Sequence, residues 1–290
     1  MIRSIVLAAV AAVAAPVPFA PAMLADMGSV SCPAFTPDGN TVVFDSSGHG
    51  STLYISHRTN GTWSAPTVAP FSGTYLDHDA SMAPDGSYLV FVSNRPATPG
   101  GPVLTVTVKG RKSPWGGNLW RVNRKGGTWG TPVRLPDAVN ENVQTYAPSI
   151  ASDGSIYFIH PDSAGAFRIY RSQYGDGAYQ PAEMQSFALT STHEMDPAIA
   201  PDQSFIVFDA SDPANPDNDI LFIAHRTGAG WGRPVALAAI DGTDQPWGAH
   251  LGPDGRTLYF SSSRGRTDNL VKLWSASLAP WLPSVQRGPA

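Results

Sequence analysis

The sequence predicts an all-β fold, a β-propeller of four-stranded blades, on three observations. Turn formers are abundant, with Gly 28 and Pro 27 in 290 residues, and they fall between short apolar runs. Charged residues make up only 14% of the chain, below the usual share of about a quarter. One module also recurs five times with its landmarks in a fixed order. A lone four-stranded meander cannot bury both faces, whereas radial stacking buries them and leaves only short edges. The complete copies give five blades; six is the next count to consider.

Each copy opens on two β-prone runs joined by an Asp-centred turn. The turns are Asp38-Gly39, Asp85-Gly86, Asp153-Gly154, Asp202-Gln203 and Asp254-Gly255. Asp-Gly between such runs is the strongest short-range hairpin signal, because Gly accepts positive φ freely. Gln203 breaks the pattern, so a strained or differently typed turn is expected there. Successive turn aspartates lie 47, 68, 49 and 52 residues apart. The long interval holds a Gly/Pro-rich insertion, residues 96–117, in the second blade.

A third run follows in each copy: Leu53-Tyr54, Leu119-Trp120, Ile169-Tyr170, Leu221-Phe222 and Leu273-Trp274. An aromatic residue then precedes a proline, as in Trp63 and Pro66, Trp129 and Pro132, Tyr179 and Pro181, Trp231 and Pro234, and Trp281 and Pro283. A fourth, edge strand is expected after that proline, a position strands tolerate. The blades are placed at about 31–72, 77–138, 145–188, 194–240 and 246–286.

The N-terminus reads as an export signal. Arg3 precedes the apolar stretch Ile5 to Ala15, too short for a membrane span of about 20 residues, and Ala20-Pro21-Ala22 resembles a cleavage site. Residues 1–22 are assigned to a signal peptide and 23–290 to a single propeller, with residues 23–30 available to close the ring. A periplasmic or secreted location follows, with no stable membrane insertion after cleavage.

The net charge of −4 and the lack of a basic cluster argue against nucleic acid as a partner. The single cysteine, Cys32, excludes an internal disulfide and every Cys-rich metal motif. It is tolerable in an oxidising compartment if buried.

Two copies, Ala80-SMAPDG-SYLVFVSNR ending at Arg95 and Ala249-HLGPDG-RTLYFSSSR ending at Arg264, carry a resemblance. They are similar to the WD40-like PD40 repeat of TolB-type periplasmic propellers, and the likeness runs over residues 31–285. It implies a propeller fold and an envelope protein with a protein or glycan partner. It fixes no activity, and no Gly-x-Ser-x-Gly elbow of a hydrolase domain is present.

Candidate site residues come from counting back along each inner strand from its turn aspartate. Six positions back stand Cys32, Asp79, Ala147, Asp196 and Gly248; three back stand the apolar Phe35, Met82, Ile150, Ile199 and Leu251, read as core between blades. The upstream set is unusually polar. Asp77, His78, Asp79, Tyr146, His193, Glu194, Asp196 and His250 are expected at one end of the axis, with Trp247 beside them. His78, Asp79, Asp196 and His250 are the candidate acid/base groups, and Asp79, Asp196 and His250 the candidate ligands of a divalent cation such as calcium. Tyr146, His193, Glu194 and Trp247 would contact a ligand. The same aspartates also suit a purely structural role, capping backbone N–H groups. Two functions follow: an exported propeller binding a protein, glycan or small polar molecule at the channel mouth, or an enzyme (lyase, hydrolase or isomerase) using the Asp/His cluster, with or without a metal. The acidic loop Asp212 to Asp219 is read as a solvated turn, and Arg95 and Arg264 as stabilisers of blade edges.

Overall fold

A computed structural model of the chain describes residues 14–47, 51–228, 230–241 and 245–283. Five of its antiparallel sheets, one per blade, form a five-bladed β-propeller. The inner strands are Val30–Phe35, Asp77–Met82, Tyr146–Ile150, Glu194–Ile199 and Trp247–Leu251. Each pairs through its Asp turn with a second strand: Thr41–Ser46, Tyr88–Ser93, Ile156–Pro161, Phe205–Asp212 and Thr257–Ser262. Third strands lie outside these, at Thr52–Thr59, Asn118–Lys125, Phe167–Ser172, Asn215–Thr227 and Lys272–Ser277. The insertion of the second blade contributes a hairpin, Val106–Val108 with Arg111–Ser113.

The repeat sequence explains the core. Phe44, Phe91, Phe158, Phe208 and Phe260 occupy one position of the second strands, all fully buried. Across the ladder each faces an aromatic of the third strand: Tyr54, Trp120, Tyr170, Phe222 and Trp274. Burying a side chain of that size contributes about 1.5–3 kcal/mol. The apolar set three residues before the turn aspartates divides one to each of five clusters between blades, as expected.

All five turn aspartates accept the backbone N–H two residues on, at 3.0, 3.0, 2.8, 3.0 and 2.9 Å. Gln203 adopts φ 60°, beside 67° at Gly39 and 61° at Gly255. The turn type is therefore kept and the strain accepted. Two contacts offset it: Gln203 Oε1 accepts from the Tyr157 hydroxyl at 2.9 Å, and its amide donates to Asp153 at 2.8 Å.

The edge strands appear in four blades, at Thr67–Val68, Val133–Arg134, Glu183–Met184 and Val235–Ala236. The fifth blade departs from the expected pattern. Trp281 and Leu282 form no strand and pack on the core between the fourth and fifth blades. The outer strand there is Val17–Pro18, paired with Trp274 and Ser275. Closure therefore uses residues earlier than 23–30. Phe19 follows, its ring edge-on to Phe35 at 5.5 Å and Tyr259 at 5.2 Å. Leu24 is buried, and Lys272 Nζ donates to the carbonyls of Leu24, Met27 and Gly28. The apolar run from Ile5 lies mostly outside the described residues. Among those described, no helix is long and apolar enough to cross a membrane.

Candidate functional site

The site grows from one irregularity repeated in every blade. Each inner strand shifts register against its neighbour at the same place, between Ser31 and Ala34, His78 and Ser81, Tyr146 and Ser149, Met195 and Ala198, and Trp247 and His250. Bulges of this kind re-aim side chains next to functional sites. The bulged residues are Cys32, Asp79, Ala147, Asp196 and Gly248, with φ of 52°, 48°, 49°, 44° and 68°. Four of them are not glycine, and a left-handed backbone there costs about 1–2 kcal/mol each.

These residues form an almost continuous ring around the axis. The Cys32 thiol donates to Asp79 Oδ1 at 3.5 Å, and Asp79 Oδ2 accepts the N–H of Ala147 in the third blade at 3.2 Å. Asp196 Oδ2 accepts the N–H of Gly248 in the fifth blade at 3.0 Å. A β-carbon at Gly248 would lie 3.6 Å from Cys32 Sγ, so the ring returns to the first blade. The two aspartates thus cap the neighbouring blade's bulge, and each keeps a second oxygen for other partners.

Two further carboxyls come from second strands. Register places Asp45 opposite Ser31 and Asp209 opposite Met195, and both are buried, 6% and 2% exposed. Asp45 Oδ2 accepts from the Ser31 hydroxyl, while Oδ1 is enclosed and makes no well-formed hydrogen bond. Asp209 lies within hydrogen-bonding reach of Asp196, one carboxyl against another.

Electrostatics divide this group. Burial, reinforced by the Asp79 charge, raises the Asp45 and Asp196 carboxyls to about 7. Burial and Asp196 push Asp209 well above the carboxylate range. Burial also opposes ionisation of Asp79, but the His78 imidazole, the Cys32 thiol and the Ala147 N–H outweigh it and hold Asp79 below its usual value. His78 Nδ1 lies 3.1 Å from Asp79 Oδ2, and this partner overcomes burial to raise the imidazole. The ring thus sets a His78–Asp79 pair, in which each partner favours the other's charged form, beside Asp45 and Asp196, which change charge near pH 7, and Asp209, which is held well above the carboxylate range. Burial and nearby carboxylates keep the Cys32 thiol protonated.

At this end of the axis a cavity of about 500 Å³ opens among the third, fourth and fifth blades. Asp196, Asp209, Asp219, His193, Phe167 and Trp247 line it. His193 Nε2 pairs with Asp219 at 2.8 Å, and Trp247 is 36% exposed. Toward the second blade the rim continues through His78, Trp115 and Tyr146. The Tyr146 hydroxyl donates to the Trp115 carbonyl at 2.7 Å, and the His78 ring lies 5.6 Å from that of Trp115. Burial raises the Tyr146 phenol, so it stays a neutral donor.

Of the residues expected at the channel mouth, His78, Asp79, Tyr146, His193, Asp196 and Trp247 gather there. Asp77 does not: it is fully buried in an ion pair with Arg95, which also holds Ser93 Oγ at 2.7 Å. Glu194 is also buried, reaching the Ile169 backbone of the third blade rather than the cavity. His250 lies past its bulge, in a separate cavity of about 120 Å³ lined by Ser81, Ser149 and the prolines of the Asp turns. Burial lowers its imidazole to about 4, so it is neutral. Asp79, Asp196 and His250 do not bring ligand atoms within 4.8 Å of one another; among the described residues Cys32, Asp45 and Asp79 do. The Asp212 to Asp219 loop is a hairpin whose Asp219 reaches His193, and Arg264 donates to the Ile240 carbonyl at 2.7 Å.

Sequence reasoning missed Asp45, Asp209, Asp219, Trp115 and Phe167. Asp45 and Asp209 did leave a signal. Each is an acid in a second strand where other copies carry Val92, Ile159 and Ser261.

No protein-family model matches the sequence, and no curated protein matches it. Solved structures do. A TolB-type protein from Agrobacterium tumefaciens is 16% identical, with a TM-score of 0.52 over 86% of this chain and 83% of that one. TolB from Acinetobacter baumannii is also 16% identical, with a TM-score of 0.51; the match covers 86% of this chain but 55% of that one. A gluconolactonase from Xanthomonas campestris is 14% identical, with a TM-score of 0.53 over 90% and 84% of the two chains. At such identities the likeness is one of fold, and the chain is a propeller of TolB-like fold.

Proposed function

We propose that this propeller binds a small polar ligand at the channel mouth, and that a sugar ring matches the cavity best. The carrying observation is that Asp196, Asp209, Asp219 and His193 converge with the exposed ring of Trp247 on one cavity of about 500 Å³. Carboxylates and an imidazole accept and donate to hydroxyl groups, while an indole face covers the apolar face of a sugar. A few converging polar groups in a partly aromatic cleft is the usual character of a ligand site. Export, a periplasmic or secreted setting and a glycan or protein partner belong to this proposal, resting on Arg3, the apolar stretch behind it and the TolB-like fold. The test is a titration of tryptophan fluorescence with mono- and oligosaccharides. Saturable quenching, lost in Trp247→Ala and weakened tenfold or more in Asp209→Asn, is the expected result. No response in folded protein up to millimolar sugar overturns the reading.

A second reading is favoured by the Asp196–Asp209 contact. Carboxyls this close share a proton, so at neutral pH one can donate while the other accepts. That is the equipment of a hydrolase or lyase acting on the same ligand. Turnover of chromogenic glycosides, abolished in Asp209→Asn, would distinguish catalysis from binding.

A further inference from the structure

We propose that Cys32, Asp45 and Asp79 form a site for a divalent transition-metal ion of the zinc class, set at the axis between the first and second blades. One ligand atom from each lies within 4.8 Å of the other two. Cys32 Sγ and Asp79 Oδ1 are 3.5 Å apart. That equals the edge of a tetrahedron with a metal–sulfur bond of about 2.3 Å and a metal–oxygen bond of about 2.0 Å.

An independent observation points to a missing partner. Asp45 Oδ1 is enclosed and makes no well-formed hydrogen bond, although the Asp79 N–H approaches this carboxyl, on a side chain 6% exposed. A buried carboxylate oxygen left alone is costly, and a cation would satisfy it. The other oxygens around it are already held: Asp45 Oδ2 by the Ser31 hydroxyl, and Asp79 Oδ2 by the Ala147 N–H and His78. The two carboxyls are thus fixed in orientation by neighbours of the kind that position metal ligands.

The donor set selects the ion. A sulfur ligand disfavours calcium and magnesium, which take oxygen, and suits zinc and its neighbours. On binding, the Cys32 thiol gives up its proton to solvent, and any proton on Asp45 leaves with it. Three protein ligands leave the fourth tetrahedral position to water or another group. Asp79 keeps an exposure of 19%, which gives the ion a path in from the mouth. The site shares no residue with the cavity lined by Asp209 and Trp247, so the proposal is tested without reference to sugar binding.

Cobalt(II) is the probe. Added to metal-free protein, it should produce a near-ultraviolet sulfur-to-cobalt charge-transfer band that saturates at one equivalent and disappears with excess zinc. With a single cysteine in the chain the band can only report Cys32. Cys32→Ser should abolish it, and Asp45→Asn should weaken cobalt binding at least tenfold. Zinc should raise the melting temperature of the parent protein and leave that of Cys32→Ser unchanged. Absence of the band in the folded parent protein overturns the proposal, whatever the variants do. So does a zinc effect on melting that is equal in the parent and in Cys32→Ser.

Discussion

The carboxylate of Asp196 accepts the backbone N–H of Gly248 from the next blade at 3.0 Å, while its side chain also meets Asp209. One residue therefore closes a blade interface and faces the cavity. Substitutions separate the roles. Asp196→Asn keeps an oxygen for the Gly248 N–H, whereas Asp196→Ala removes that acceptor and leaves the N–H only the neighbouring Asp209. We expect the alanine variant to be less stable than the asparagine variant by roughly 0.5–2 kcal/mol, as for loss of a cap. Chemical denaturation of both variants measures the difference.

The raised carboxyls set a pH dependence. Asp45 and Asp196 titrate near 7 in the fold and lower in the unfolded chain, so the folded state holds more protons between about 4 and 7. Stability from these groups is present at the acid end of that window and is lost as pH rises through it. His250 acts oppositely, because its lowered value means stability is lost as pH falls from about 6.5 toward 4. Asp196→Asn should therefore raise the melting temperature relative to the parent more at pH 8 than at pH 5. An equal shift at both values would contradict this account.

Closure of the ring depends on Val17–Pro18 and Phe19. A chain beginning at residue 23 loses the outer strand of the fifth blade and the Phe19 ring from between Phe35 and Tyr259. It should be less stable than a chain beginning at residue 16 by about 1–2 kcal/mol, since Phe19 is partly buried and full burial of such a side chain is worth about 1.5–3 kcal/mol. Thermal melts of the two truncations test this, and N-terminal sequencing of exported protein shows which start is used.

At Gln203 two effects compete. Glycine relieves the left-handed backbone but gives up the contacts to Tyr157 and Asp153. Alanine loses the contacts and keeps the strain. Gln203→Ala should therefore be the less stable variant, by about 1 kcal/mol. Melting curves of the pair decide it.

The Asp77–Arg95 pair is buried between blades. Removing only Asp77 strands a guanidinium, so Asp77→Ala should lower stability by about 3–5 kcal/mol. Sugar quenching in the protein that still folds should be unchanged, since neither residue lines the mouth cavity.

The sequence by itself determined the blades. Recurrence of the Asp turns, the buried phenylalanines and the aromatic third strands is local information, written once per copy and read by counting. It also singled out Asp79 and Asp196, because acids recurring at one strand position stand out against an apolar pattern. Only the tertiary structure decided their company. Asp45 lies 34 residues before Asp79, and Asp209 lies on the strand after Asp196; the bulge, not the spacing, turns each pair together. The same bulge sends His250 to the other side, against a count that ignored the register shift. Ring closure was likewise beyond the repeat pattern. The outer strand of the last blade comes from the far end of the chain, and pairing across that distance depends on which edge is left open once the blades have stacked.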